Sequence, residues 1–478
     1  MATHTFDRLS AQDSSFVMFE GPGTHMHVSA IAVFETGPLK APEGGLDIER
    51  IRSYVESRLH LLPRYRQRLA FTPVERHPVW VDDDRFNLNY HVRHTSLPRP
   101  GSEELLKKLA GRIMSQQLDR GKPLWELWFV EGLEGGRFAM IGKTHHCMVD
   151  GASGVGVITA LLSGSADVSI EPAPPWAPRP APGRFELLRH ALSHRVAAPT
   201  SALRAIRGAL REPQEASTRF AEHALSVWQA LNAGFRVPAN TPLNAPIGTH
   251  RRIDWSNIDL AEIKELKKRL DGSVNDVVLA VVAGALRRYL GGRRVPLDGM
   301  DFRIAIPVNM RSDSGDVGAA NRVSAWFLSL PLAEGDPLRR FEQIRAETQR
   351  LKRSKAAEGI DLFVRFAEWS GSTLLTFWGV RLASTLHPYN LIVTNVPGPQ
   401  YPLYLLGAKL NTMIPQLPLF QNQGLGVAVM SYLGKVTFGL IGEWDLAPDL
   451  PALARAIDAS FTELRDAAQR APEPRREP

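Results

Sequence analysis

Apolar and polar positions alternate or recur with enough regularity to place most elements of this chain. Residues 26–35, MHVSAIAVFE, read as a buried strand. LWELWFVEGL (124–133) and GRFAMIGKTHH (136–146) read as neighbouring strands joined by a short Glu-Gly-Gly turn. Helical spacing marks 47–59 and 102–118. The pattern then stops: SIEPAPPWAPRPAPG (169–183) is too proline-rich for a helix or a central strand and reads as a linker. Helical patterns follow over 184–211 and 216–233, then a loop over 237–248. Mixed character returns with a strong helix (273–290), strands at 301–311 and 322–332, and a helix at 337–354. Three strand patterns and a last helix close the chain, before a polar tail.

This order predicts mixed α/β architecture with α+β mixed sheets: an N-terminal domain over 1–165, a Pro-rich linker with crossover helices over 166–248, a C-terminal domain over 249–468, and a disordered tail over 469–478. The cleft between the halves is the natural place for a site.

Composition narrows the class. The chain has 478 residues, 44% hydrophobic and 22% charged, which suits a globular protein of two domains. No run reaches the ~18 to 20 apolar residues of a membrane span, and the N-terminus lacks a basic stretch followed by an apolar one. A cytoplasmic enzyme able to touch membranes is expected. The net charge of +7 suits a phosphate-bearing cofactor or an anionic membrane surface. No zinc-finger spacing, RNP-type strand or basic-zipper heptad is present, so nucleic acid is not an expected partner.

The stretch THHCMVDGASGVG (144–156) carries the candidate chemistry. It sits where a strand meets a glycine-rich turn. Adjacent residues at a strand end face opposite ways, so His145 and His146 cannot easily meet one metal ion, and no metal site is expected. A neutral imidazole suits proton removal from an alcohol near pH 7, while a lone histidine pair is more often structural than catalytic. Asp150 suits holding the turn through an arginine, and Gly151 permits the backbone angle it needs. Cys147, the single cysteine, reads as small apolar filler rather than a nucleophile. A Walker A loop is excluded because its first glycine would fall at Arg137, and GxSxG, HExxH and GxGxxG patterns are missing. In SVND, Ser273 and Asp276 fit a helix capping box; Asn275 fits the cleft or the helix equally well. PLW (123–125) reads as core at a strand start.

HHCMVDG fits HHxxxDG, the signature of a superfamily of CoA- and carrier-dependent acyltransferases. Over nearly its whole length the chain resembles the bacterial wax ester synthase/acyl-CoA:diacylglycerol acyltransferase family. PLWELWFVEGL looks like that family's PLW segment, and SVNDVVLAVVAGALRRYL carries its Asn-Asp pair. ANRVSAWFLSLPL, TNVPGPQYPLYLLGAKL and SYLGKVTFGL resemble its C-terminal segments. Asn309 in IPVNMR stands where serine is common, and GEWDLAPD is a variant ending. The resemblance implies two chloramphenicol-acetyltransferase-like domains with the active site in a channel between them. It implies His146 as general base, taking the proton of an acceptor hydroxyl that attacks an acyl-CoA thioester. His145 would support the loop and Asp150 would pair with a distant arginine, for which Arg311 is the candidate. No cofactor is implied, since acyl-CoA is a substrate; diacylglycerol or a long-chain alcohol would accept.

Two rival readings stand beside it: an HHxxxDG enzyme with a polyketide- or sugar-type acceptor, and a non-catalytic coat of lipid droplets or membranes. Insoluble substrates would have to be met at a surface. Residues 184–211 combine arginines with Phe185, Leu187, Leu192, Leu203 and Ile206 at mostly helical spacing, broken at Pro199. They suit two short amphipathic helices lying on an anionic membrane, or packing on the second domain.

Overall fold

Strand His27–Glu35 is buried on both faces along Ile31, Ala32, Val33 and Phe34, and its two faces serve two different cores. One face carries Ala32 and Phe34 into a cluster with Phe129, Phe138 and Met140. The other carries Ile31 and Val33 toward Ile141, Trp255 and Ile441. The computed structural model describes residues 5–148, 160–189, 238–310, 322–353 and 388–471.

The N-terminal part forms strands β1 (Phe6–Arg8), β2 (His27–Glu35), β3 (Gln67–Phe71), β4 (Pro78–Asp82), β5 (Val92–Ser96), β6 (Trp125–Leu133) and β7 (Arg137–His145). After the linker come β8 (Arg251–Asp259), β9 (Phe302–Met310), β10 (Arg322–Leu330), β11 (Leu391–Pro397), β12 (Tyr404–Leu405), β13 (Ala408–Gln416), β14 (Leu425–Tyr432) and β15 (Lys435–Glu443). They build two six-stranded mixed sheets, ordered β12-β13-β2-β7-β6-β5 and β10-β9-β11-β14-β15-β8, beside a small β1-β4-β3 sheet. Mixed α/β architecture was expected, and the strands and helices read from periodicity on the described residues are present within a few residues of their expected bounds, apart from the stretch 184–211, of which only the start is described.

The expected boundaries at 165 and 249 do not partition the sheets. Strands β12 and β13, late in the chain, cross over and pair antiparallel with β2. They thereby cover an edge that would otherwise expose unpaired backbone groups. The turn between them places Leu406 at φ 49° and Gly407 at φ 88°.

The second sheet packs under helices Val274–Gly292, Pro337–Arg353 and Leu450–Arg470 around one large apolar cluster. Between the sheets lies the seam cluster, to which helix Glu103–Ser115 adds Leu106, Ala110 and Ile113. Backbones approach closely there. A Cβ at Gly23 would collide with the Ile247 carbonyl, and one at Gly439 with the Pro415 carbonyl.

Residues 169–183 carry neither helix nor strand. They are nonetheless pinned to the first half. Arg179 donates from its backbone and side chain to Asp82 (2.9, 3.2 and 2.9 Å). The Arg66 guanidinium lies 4.9 Å over the Trp176 ring. Of the segment 184–211 only its start is described: a helical turn over 184–189, with Leu187 buried against Phe6, Val79 and Val81 and Phe185 exposed. The remainder, the pattern at 216–233 and most of the tail lie outside the described residues. Among the described residues no helix is long and apolar enough to cross a membrane.

Candidate active site at the end of the central strand

Strand β7 ends at His145, whose N–H donates to the Leu124 carbonyl (2.9 Å). The chain then tightens into one 3-10 turn, His146–Met148. The His146 N–H donates to the Met26 carbonyl (2.7 Å), fixing the turn to the start of β2. The two rings go to different neighbours, as a strand end requires.

His145 is buried. Its Nδ1 accepts from the Cys147 N–H (3.1 Å), which assigns the ring proton to Nε2. That nitrogen faces Glu20 Oε2 at 3.6 Å. Glu20 also takes two donors from Arg120 (2.8 and 2.5 Å) and lies 3.6 Å from His27 Nε2. Burial pushes the Glu20 carboxyl up, but His145 and Arg120 outweigh it and hold the group down at about 2. A carboxylate is thus locked beneath His145.

His146 instead lies against Phe16, with ring centroids 3.8 Å apart. Its Nδ1 is buried with no hydrogen-bond partner among the described residues. The residue keeps some exposed surface, yet its ring lies deep enough that burial pushes its pKa down to about 4, helped by His145. The ring is neutral at physiological pH.

Cys147 is buried, and burial pushes its thiol well above its ordinary pKa. A thiol held neutral is a poor nucleophile, which fits the filler reading. Trp125 of PLW is core. It is 1% exposed, stacks on His91 and donates from Nε1 to the Tyr65 carbonyl (2.8 Å).

Asp276 closes the capping box. Its Oδ2 accepts from Ser273 N (2.8 Å) and Oγ (2.7 Å), while Ser273 Oγ accepts from Asp276 N (3.2 Å). Its Oδ1 accepts from Thr348 (2.7 Å). Both oxygens are occupied structurally. Asn275 Oδ1 accepts from Asn395 Nδ2 at 3.3 Å, which ties SVND to TNVPGP on β11. Asp150, Gly151 and Arg311 lie outside the described residues.

Sequence reasoning missed Glu20, Phe16, His27 and Lys143. One signal was present: in the triplet HMH at 25–27, histidines two apart at a strand start share a face, beside a second histidine pair. Lys143 is fully buried and donates to the Ile113 (3.0 Å) and Gln116 (2.6 Å) carbonyls, fastening the C-terminal end of helix Glu103–Ser115 to β7.

Residues 9–278 match the family model described as the wax ester synthase/diacylglycerol acyltransferase catalytic domain, and residues 319–465 match the WS/DGAT C-terminal domain. A Mycobacterium tuberculosis strain H37Rv protein, named provisionally as a diacylglycerol O-acyltransferase, is 33% identical, with 98% of this chain and 92% of that one aligned. The wax ester synthase/diacylglycerol acyltransferase of Marinobacter aquaeolei VT8 superposes with a TM-score of 0.67 at 26% identity, covering 97% of this chain and all of that one (100%). The first condensation domain of the CDA synthetase, at 15% identity and TM-score 0.58 over 98% of each chain, shares the fold alone.

Proposed function

We infer the reaction from kinship: the chain belongs to the wax ester synthase/diacylglycerol acyltransferase family and is an O-acyltransferase. We propose that it moves a fatty acyl group from acyl-CoA to diacylglycerol, giving triacylglycerol, or to a long-chain alcohol, giving a wax ester. His146 is the proposed general base.

One observation carries this reading: at the end of β7, an imidazole held neutral has a ring nitrogen with no partner among the described residues. In the proposed step His146 takes the proton of the acceptor hydroxyl. The oxygen attacks the thioester carbonyl, and the new C–O bond leaves a tetrahedral oxyanion. Its collapse breaks the C–S bond, and the CoA sulfur leaves with the proton from His146. A thioester is already activated, so no acyl-enzyme is required. A base with a pKa of about 4 is weak in the free protein. It becomes effective because the imidazolium forms beside the developing negative oxygen, which stabilises it in the transition state.

Asp150 and Arg311 are proposed as the pair that holds the loop, with Gly151 supplying its turn and Asn275 a polar group near the reacting atoms. The acceptor is proposed to be collected at a membrane or lipid-droplet surface.

Purified protein given acyl-CoA and, in parallel, diacylglycerol, hexadecanol and a sugar acceptor tests the reading by thiol release and product mass. Ester formed on diacylglycerol or hexadecanol supports it. Ester formed on the sugar alone, or thioester hydrolysis without transfer, contradicts it.

A further inference from the structure

One row of residues crosses the first sheet on the face turned to the seam: Gln416 on β13, Ser29 on β2, Lys143 on β7 and Glu126 on β6 are successive register partners. All four are buried. The row beside it is apolar, with Ile414, Ile31, Ile141 and Trp128 in the same four strands. On its other side lie His27 and His145, paired at the strand end where the proposed base begins.

The two ends of the polar row differ. Lys143 is satisfied by two helix-terminal carbonyls, and Glu126 lies 3.8 Å from Lys143 and 3.0 Å from Arg93 and accepts from Trp128 Nε1 (2.9 Å). At the other end Ser29 Oγ and both polar atoms of the Gln416 amide are buried without a hydrogen-bond partner among the described residues. His27, one step along β2 on the same face, accepts at Nε2 from Leu118 N (3.4 Å), and its Nδ1 has no partner among the described residues. Gly439 faces this end, and a Cβ there would lie 3.2 Å from Gln416 Nε2. Buried polar groups are costly to leave unpaired, and such groups here form a strip from the seam to the strand end.

We propose that Ser29 and Gln416 form a subsite for a neutral substrate group that both donates and accepts hydrogen bonds. The proposal rests on the acyl transfer inferred above. Two sources carry that chemistry: the amides of the pantetheine arm of acyl-CoA, and the hydroxyl and ester groups of diacylglycerol. In the free protein the seam closes over these atoms, so substrate binding and their pairing are one event.

The test is steady-state kinetics and thermal unfolding of Gln416→Leu and Ser29→Ala in the full chain. Removing an orphaned polar group from the ligand-free protein leaves Tm unchanged or raises it by roughly 2 °C. The same change raises one KM about tenfold, the worth of a lost hydrogen bond. A rise in KM for acyl-CoA with either diacylglycerol or hexadecanol as acceptor assigns the pantetheine arm. A rise confined to diacylglycerol, with hexadecanol unaffected, assigns the acceptor's head. KM values unchanged for both substrates overturn the subsite, and so does a fall in Tm for both variants, which would make the pair structural. Wild-type protein with no transfer activity would defeat the proposed reaction instead.

Discussion

Phe16 stacks on His146 with ring centroids 3.8 Å apart and planes inclined by 27°. Phe16 comes from helix Ala11–Phe19, whose start is capped by Ser10 accepting from the Asp13 N–H (3.0 Å). A short helix with a fixed origin thus sets one face of the ring and excludes water from it.

That relationship has a kinetic consequence. Phe16→Ala admits water to the ring, so the His146 pKa rises from about 4 toward the ordinary ~6.5. The acid limb of kcat/KM, which reports the free enzyme, moves up with it. In the wild type kcat/KM stays flat down to about pH 5. Turnover falls about tenfold as the ring loses its seat, while Phe16→Leu, which keeps apolar cover, falls less. An unmoved acid limb in Phe16→Ala contradicts the assigned burial.

Stability has a calculable pH dependence. Burial holds His91 and His146 down at about 4, below the unfolded value near ~6.5. The unfolded chain therefore binds more protons between those limits. Stability is full above pH ~6.5 and is lost as pH falls toward 4, by on the order of 3 kcal/mol for each fully buried ring. Glu20, held down at about 2 by its partners despite burial, adds a second loss that begins only below its unfolded value of ~4.3. Urea unfolding at pH 7, 5.5 and 4.5 checks the sign: a midpoint constant across that range contradicts it.

Asp276 separates a structural motif from a catalytic one. Asp276→Ala removes the capping box and the Thr348 bond together, and costs about 1–3 kcal/mol. Activity per folded molecule, measured at 20 °C after correction by active-fraction titration, stays within about threefold of wild type. A stable Asp276→Ala protein with no turnover would place the carboxylate among the reacting groups.

Much of this was readable along the chain, and the reason is local. The box at Ser273–Asp276 spans four residues, and the alternation of β7 needs only itself. What escaped reading depends on partners far away in sequence. In β8, Asp254 meets Lys107 (2.5 Å), Ser256 meets Asp458, and Asn257 accepts from Thr437 (2.7 Å). Buried Asp254 and Ser256 dilute the period-two signal of RRIDWSNID. Strand β13 belongs to the first sheet because β2 offers an edge nearly four hundred residues earlier, which no window along the chain contains. Glu20 looks like an ordinary helix-end acid until Arg120 and His145 close around it.

In the proposed reaction His146 takes the acceptor's proton. Turnover of His146→Ala, followed by CoA thiol release with diacylglycerol or hexadecanol and compared at equal folded concentration, tests it most directly. A loss of about 10²- to 10⁴-fold, the usual worth of a general base, with an unchanged circular dichroism spectrum, is the predicted result. Near-wild-type turnover by a folded His146→Ala protein would contradict it.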